Sequence, residues 1–207
     1  MRGGGRETGR RHANPDVREK RSMSSENKRC ADYRKFKIID DAFRAGDLDA
    51  LRAAIDDPKS FPNGPMPLSI GHCLEYAIYH SPLSFIRTLL ELGADPDPAD
   101  HAGFPPLIAA LSCSRSHSGN PARNEVTAII SLLLSHGADP DQRGLNDYTP
   151  LHMAVQERNL AAIKLLLEAG ADPKLRTRID DCETPREMAE QANLREIADA
   201  LAAAENP

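Results

Sequence analysis

Between residues 149 and 173, the hydrophobic residues fall at the three- and four-residue spacing of two short amphipathic helices. They are Leu151, Ala154 and Val155, followed by Leu160, Ile163, Leu166 and Leu167. Thr149 suits the N-cap of the first helix, and Pro150 suits its first position, where a missing amide hydrogen costs nothing. Gly170 suits the left-handed residue that ends the second helix. The segment therefore predicts one helix–turn–helix unit.

The ending of this unit, a leucine pair followed by a spacer and Gly-Ala-Asp-Pro, occurs three times in the chain. Its glycines are Gly93, Gly137 and Gly170, which lie 44 and 33 residues apart. A period of 33 residues is the length of a repeat that stacks two short helices and a turn. The longer interval predicts an 11-residue insertion in the third unit, and the Gly, Pro, Asn and Ser content of residues 114–125 indicates a loop there.

Thr-Pro-Leu-His at 149–152, together with the Leu-Leu-x-x-Gly-Ala-Asp ending, resembles an ankyrin repeat. The resemblance covers about residues 37–204, and the fourth repeat, at about 144–173, is closest to the family pattern. It implies an all-α fold, an ankyrin-repeat solenoid of about five helix–turn–helix repeats. One helix pair cannot bury its own apolar face, so neighbouring pairs must stack.

Small residues and polar ends are expected in such a stack. An alanine recurs at one place in every first helix, where it lets neighbouring helices approach closely: Ala42, Ala77, Ala110, Ala154 and Ala189. The outer faces of the first and last repeats should be polar because no further repeat covers them. Arg186 and Glu190 meet this expectation in the last repeat, and Lys35 and Lys37 meet it in the first.

The N-terminal segment differs from the rest in charge. Residues 1–29 hold nine Lys/Arg and four Asp/Glu, whereas residues 30–207 hold 17 Lys/Arg and 27 Asp/Glu. Because residues 1–29 have almost no apolar side chains, we predict a disordered basic arm there and an ankyrin-repeat domain over 30–207. Met23 is an alternative start of translation. There is no apolar run of secretory or membrane-spanning length, and the four cysteines are scattered, so we expect a cytoplasmic protein with reduced thiols.

Candidate catalytic and metal-binding groups are few. His152 is the most conspicuous, but the resemblance implies a structural hydrogen-bonding role for it, and no Ser, Asp or Cys recurs at a triad spacing. Cys113 and His117 supply only two of the three or four ligands that a zinc site needs. We therefore predict no enzyme, no cofactor and no metal site.

The resemblance also implies that turn tips and first helices form a concave binding face. By position, the partner-binding candidates are His101, Leu145 and Asn146 at the tips, Phe104 and Tyr148 just before first helices, and Tyr79, Gln156 and Glu157 on first helices. Phe104 and Tyr148 occupy the same place in adjacent repeats. Each ring is either an interface anchor or packed on its neighbouring turn.

The leading hypothesis is a monomeric, non-catalytic module that binds a partner protein. The alternative is a nucleic-acid-associated protein tethered by the basic arm, although the acidic array would repel phosphate. The inserted loop is a further candidate contact. If it recognises the partner, deletion of residues 114–123 should abolish binding at an unchanged melting temperature.

Overall fold

A computed structural model describes residues 15–64, 66–69, 71–99, 103–115, 122–144, 147–178 and 182–205, and describes side chains from residue 28 onward except that of Ser69. In this part of the chain there are ten α-helices, one short 3-10 helix at Pro67–Ser69, and no strand. The α-helices are α1 (Pro15–Ala45), α2 (Leu48–Ala54), α3 (Cys73–His80), α4 (Leu83–Glu91), α5 (Pro106–Ser112), α6 (Val126–Ser135), α7 (Pro150–Gln156), α8 (Leu160–Glu168), α9 (Pro185–Gln191) and α10 (Arg195–Glu205).

The helices pack as five consecutive pairs. The first helices of neighbouring pairs contact one another in the order α1, α3, α5, α7, α9, and α4, α6, α8 and α10 form the second row in the same way. The C-terminal part of α1 supplies the first helix of the first pair. This arrangement confirms the predicted all-α solenoid of about five units.

One continuous apolar core runs through the described repeats. The recurring alanines are all buried within it, together with the leucines and isoleucines that face the neighbouring pair. Since each first helix presents an alanine to its neighbours, the first helices can pack closely. Of the described helices, none is both long enough and apolar enough to cross a membrane.

The N-terminal segment over residues 1–29 is described only in part, and its predicted disorder stays a prediction. Helix α1 begins at Pro15, so residues 15–29 are helical, whereas residues 1–14 lie outside the described part. Residues 15–29 are rich in Arg, Lys and Glu, which have high helix propensity. A charged sequence with little to bury can therefore still extend a helix whose later turns pack on the repeats.

The two ends of the array differ in polarity. At the C-terminal end, Arg186 pairs with Glu190 at 2.8 Å and with Glu205 at 3.0 Å, in agreement with a polar last repeat. At the N-terminal end, Tyr33 and Ile38 on α1 are exposed. The expected polar first repeat is therefore found only in part.

Aspartates order the turns that follow the second helices. Asp95, Asp139 and Asp172 each accept a hydrogen bond of 2.9 Å on Oδ1 from the backbone amide two residues further on, which confirms their predicted role in the turns. Their own amides donate to the preceding repeat, where Asp97 Oδ2 accepts from Asp139 at 2.8 Å. Asp141 accepts from Asp172 in the same way, at 3.1 Å. These bonds join the turns of successive repeats along one edge of the array.

Ala154→Leu tests the close approach of the first helices. Ala154 is fully buried, so a larger side chain must displace its neighbours, and we expect unfolding free energy to fall by about 1–3 kcal/mol. Urea denaturation monitored by circular dichroism measures the change. Ala161→Leu makes the same substitution at an exposed position of α8 and should leave stability nearly unchanged. Equal midpoints for the two variants would contradict the packing described here.

Candidate functional site

Phe104 precedes α5 and is 44% exposed. Its position is fixed through the backbone, because its amide donates a 3.0 Å hydrogen bond to Glu75 Oε1 on α3. The ring therefore stands at a defined place on the surface while remaining accessible. The three predicted tip residues, His101, Leu145 and Asn146, lie outside the described residues.

Tyr148 occupies the equivalent place before α7 but is half-buried. Its ring lies against the His152 imidazole, with 5.6 Å between centroids and 32° between planes. Tyr148 thus packs on its neighbouring turn, and Phe104 is the more accessible of the two rings.

A row of uncharged polar side chains follows the first helices. Tyr79 on α3 is half-buried, and its hydroxyl lies 3.3 Å from Ser112 Oγ on α5. Burial raises the pKa of Tyr79, which keeps the phenol protonated. Gln156 stands at the equivalent position of α7 and is exposed, and Gln191 continues the row on α9. This row presents hydrogen-bonding groups without net charge.

Glu157 does not fit the expected partner-facing role. It is 6% exposed, and its carboxylate accepts hydrogen bonds from Arg115 Nε at 2.6 Å and Nη2 at 3.0 Å. Arg115 belongs to the inserted segment, so the insertion itself covers Glu157. Glu157 is the C-cap residue that follows α7, and an arginine 42 residues away in sequence occupies its carboxylate.

The inserted segment connects α5 to α6 and is anchored at both of its described ends. The Arg123 amide donates to the Cys113 carbonyl at 2.9 Å, which closes the base of the loop. Arg123 Nη1 donates to the Ile78 carbonyl at 2.7 Å, and Asn159 Nδ2 donates to Ser114 Oγ at 3.3 Å. Deletion of residues 114–123 would remove these contacts. Contrary to the expectation from the sequence, we therefore expect that deletion to lower the melting temperature. A deletion confined to residues 116–121, which lie outside the described part, is the better test of the loop.

His152 bridges two repeats, as the resemblance implied. Its Nδ1 accepts from the Thr149 amide at 3.3 Å and lies 2.9 Å from Thr149 Oγ1, so Nε2 carries the hydrogen and donates to the Glu183 carbonyl at 3.0 Å. Burial lowers the pKa of His152 and keeps it neutral. Glu75 occupies the same position in the second repeat. Its carboxylate accepts a hydrogen bond from the Phe104 amide, whereas His152 donates one. In the third repeat the position is held by Ile108, which is buried and apolar.

Asp147 ties the last two turns together. Arg178 Nη2 donates to Asp147 Oδ1 at 2.7 Å, and Arg143 Nη1 donates to its Oδ2 at 3.0 Å. Hydrogen bonds from Arg178 hold the pKa of Asp147 below its usual range. Asp147 also adopts a φ of +63°, a left-handed conformation that Asp tolerates better than most residues. The turns beside the predicted tips are thus rigidly held.

The described residues contain no group of three or more His, Cys, Asp or Glu placed to hold a metal ion. Cys73 and Cys113 are buried, and burial raises the pKa of Cys73 to about 12. A buried thiol of such high pKa is a poor nucleophile.

Paired helices that stack through an apolar core, with polar bridges from each turn to the next, define the class of helical-repeat proteins. The family model described as ankyrin repeats in three copies matches residues 74–177. The chain belongs to the ankyrin-repeat family. Members of this family use their repeats for protein–protein interaction.

Several curated proteins are similar to this chain. Cyclin-dependent kinase 4 inhibitor B of Rattus norvegicus is 32% identical over 124 residues, which are 58% of this chain and 82% of that protein. Protein fem-1 homolog A of Homo sapiens is 37% identical over 76 residues, 36% of this chain and 11% of that protein. SH3 and multiple ankyrin repeat domains protein 2 of Homo sapiens is 33% identical over 102 residues, 49% of this chain and 5% of that protein. The chain thus spans only a small part of the fem-1 homologues.

Stability should depend on pH through His152. Its folded pKa is lowered, whereas an unfolded histidine titrates near pH 6.5, so the unfolded state binds more protons below that pH. The free energy of unfolding should therefore be constant above about pH 6.5 and fall below it, by at most about 1.4 kcal/mol per pH unit for one histidine. His80 acts with the same sign. Urea titrations between pH 5 and 8 measure the slope.

His152→Gln should reduce that slope and leave the His80 part. His136→Gln, at an exposed position, is the control for the loss of an imidazole. An unchanged slope in the His152 variant would show that the imidazole is not held neutral by burial.

Arg115→Ala tests the anchoring of the insertion. It leaves the buried Glu157 carboxylate without its partner, so we expect the urea midpoint to fall clearly below that of the parent. Adding Glu157→Leu should recover part of the loss, because the stranded charge is then removed. Arg87→Ala on the exposed face of α4 is the control for loss of a surface arginine. Equal midpoints for Arg115→Ala and Arg87→Ala would contradict a structural pair.

Proposed function

We propose that this chain is a non-catalytic interaction module whose partner protein docks on the first-helix face beside Phe104. The observation that carries the proposal is the exposed Phe104 ring, held in place by the bond between its own amide and Glu75. An aromatic side chain on a rigid base is a good interface anchor, because little conformational entropy is lost when it is buried.

The other end of the same first helices supports a partner of mixed polarity. Tyr79, Ser112 and Gln156 offer hydroxyl and amide groups along adjacent first helices. Such groups can pair with the backbone or the uncharged side chains of a docked segment. The tip candidates His101, Leu145 and Asn146 belong to the same proposal, and Tyr148 supports it by fixing the turn.

The charge of the array gives a further preference. Residues 30–207 hold ten more acidic than basic side chains, which favours a partner with basic or mixed surface. The rat relative is named as an inhibitor of cyclin-dependent kinase 4, and we extend only the recognition of another protein to this chain. We place the protein in the cytoplasm as a monomer. The nucleic-acid alternative depends on the basic N-terminal arm. Residues 1–14 of that arm lie outside the described part, so the alternative stays a prediction.

Phe104→Ala tests the face directly. Affinity purification of the tagged full chain from its native cells, followed by mass spectrometry, should recover a stoichiometric protein with the parent, and recovery should fall at least tenfold with the variant, as for an interface hot spot. Circular dichroism checks that the variant is folded.

Leu92→Ala is the matched control. Leu92 is similarly exposed but follows α4 in the second row of helices, away from the proposed face. Equal losses in both variants, or undiminished recovery with Phe104→Ala, would refute docking at Phe104. A deletion of residues 116–121 in the same experiment measures the contribution of the inserted loop.

A further inference from the structure

A cleft opens where the C-terminal ends of α1 and α3 meet the inserted segment. It is lined by Arg44, Tyr79, His80, Ser81, Pro82, Arg123, Asn124 and Glu125. The cleft lies at the opposite end of the first helices from Phe104, which precedes the start of α5. It combines two guanidinium groups, an imidazole and a buried hydroxyl.

Arg44 and His80 face one another at the α1 side of the cleft. Arg44 Nε donates to both oxygens of Asp40 at 2.9 Å, and Arg44 Nη2 lies 3.4 Å from His80 Nδ1. The imidazole stacks on Tyr76 with 4.4 Å between centroids, and the Tyr76 hydroxyl donates to Asp40 at 2.9 Å. A single carboxylate therefore holds the guanidinium and the phenol, and these two groups in turn contact the imidazole. Because Nε engages Asp40 and Nη2 faces His80, it is Nη1 of Arg44 that can donate to another acceptor.

Arg123 supplies the second cation from the inserted segment. Its side chain is 14% exposed, and Nη1 donates to the Ile78 carbonyl at 2.7 Å. Nη2 donates to Glu125 at 3.1 Å, but the Glu125 side chain is half exposed and can turn into solvent. Arg123 is thus a fixed, largely buried cation whose carboxylate partner is replaceable.

Ser81 is the unusual member of the cleft. It is 2% exposed, and its Oγ has no hydrogen-bond partner among the described residues. Its backbone amide ends α3 by donating to the Ala77 carbonyl at 2.8 Å, so the turn does not require the hydroxyl. A buried hydroxyl without a hydrogen-bond partner is unfavourable, so alanine at position 81 would make the helix pair at least as stable.

We propose that this cleft binds an oxyanion, a carboxylate or phosphate group, between Arg44, Arg123 and His80. Guanidinium groups present paired donors that match the two oxygens of such a group, and these charge-assisted bonds are stronger than neutral ones. The anion displaces Glu125 from Arg123. Ser81 supplies a further donor when the wall of the cleft adjusts to the bound group. This proposal does not depend on the partner that docks at Phe104.

The charges around His80 make binding pH-dependent. Burial lowers the pKa of His80, the Arg44 and Arg123 cations lower it further, and Asp40 opposes them. From the inserted segment Glu125 also faces the cleft, and from α3 the neutral phenols Tyr76 and Tyr79 do. A bound anion stabilises the imidazolium, so binding raises the pKa of His80 and, by linkage, strengthens as pH falls.

The test is an NMR titration of the full chain with inorganic phosphate and, separately, with sodium acetate, each against sodium chloride of equal ionic strength. We expect phosphate to shift the His80 ring signals saturably and to raise the pKa of His80, with tighter binding at pH 6 than at pH 8. Arg123→Gln should weaken binding about tenfold. Ser81→Ala should also weaken it, without loss of thermal stability, because it removes an unpaired hydroxyl. Arg87→Gln is the control and should bind as the parent does.

Saturation by phosphate alone would identify a phosphate site, and saturation by acetate as well would identify a general carboxylate and phosphate site. Either result supports the proposal. The proposal would be overturned if neither anion changed the His80 signals or the pKa of His80 more than chloride does. The same follows if Arg123→Gln and Ser81→Ala both bind like the parent, because the anion would then lie elsewhere.

Discussion

Every helix pair in this protein has one apolar face that it cannot bury alone, and the stack exists because each neighbour buries it. The recurring fully or nearly fully buried alanines set how closely the first helices approach. Once that spacing is set, the residues at each turn can reach the next repeat. His152 donates to the Glu183 carbonyl, whereas Glu75 accepts from the Phe104 amide at the equivalent position. Apolar packing thus fixes the distance between repeats. At that distance the side chain that bridges two repeats can either donate or accept the hydrogen bond.

The sequence predicted the architecture well because the signals involved are local. Helical periodicity, Thr-Pro starts and glycine endings concern residues within one repeat, and the 33-residue spacing shows how the repeats follow one another. The disorder predicted for residues 1–29 rests on composition alone and stays a prediction.

The candidate site was less predictable because exposure depends on partners distant in sequence. Phe104 and Tyr148 hold the same register, yet they differ in burial. Tyr148 has the His152 ring to pack on, whereas the equivalent residue beside Phe104 is Ile108. Glu157 was expected on the first helix but is its C-cap residue, and its pairing with Arg115 joins residues of different repeats across an insertion that has no family pattern. No local spacing rule indicates such a pair.

The two ends of the inserted segment meet at the hydrogen bond between the Arg123 amide and the Cys113 carbonyl. The chain therefore leaves the solenoid and returns to it at nearly the same point, away from the turns that Asp97 and Asp139 join. Contacts of Ser114, Arg115 and Arg123 with neighbouring repeats tie these ends to the stack, so the replaceable stretch is the one between Arg115 and Arg123. Evolution, or a protein engineer, can exchange that stretch for another loop and so change what the surface recognises without rebuilding the scaffold.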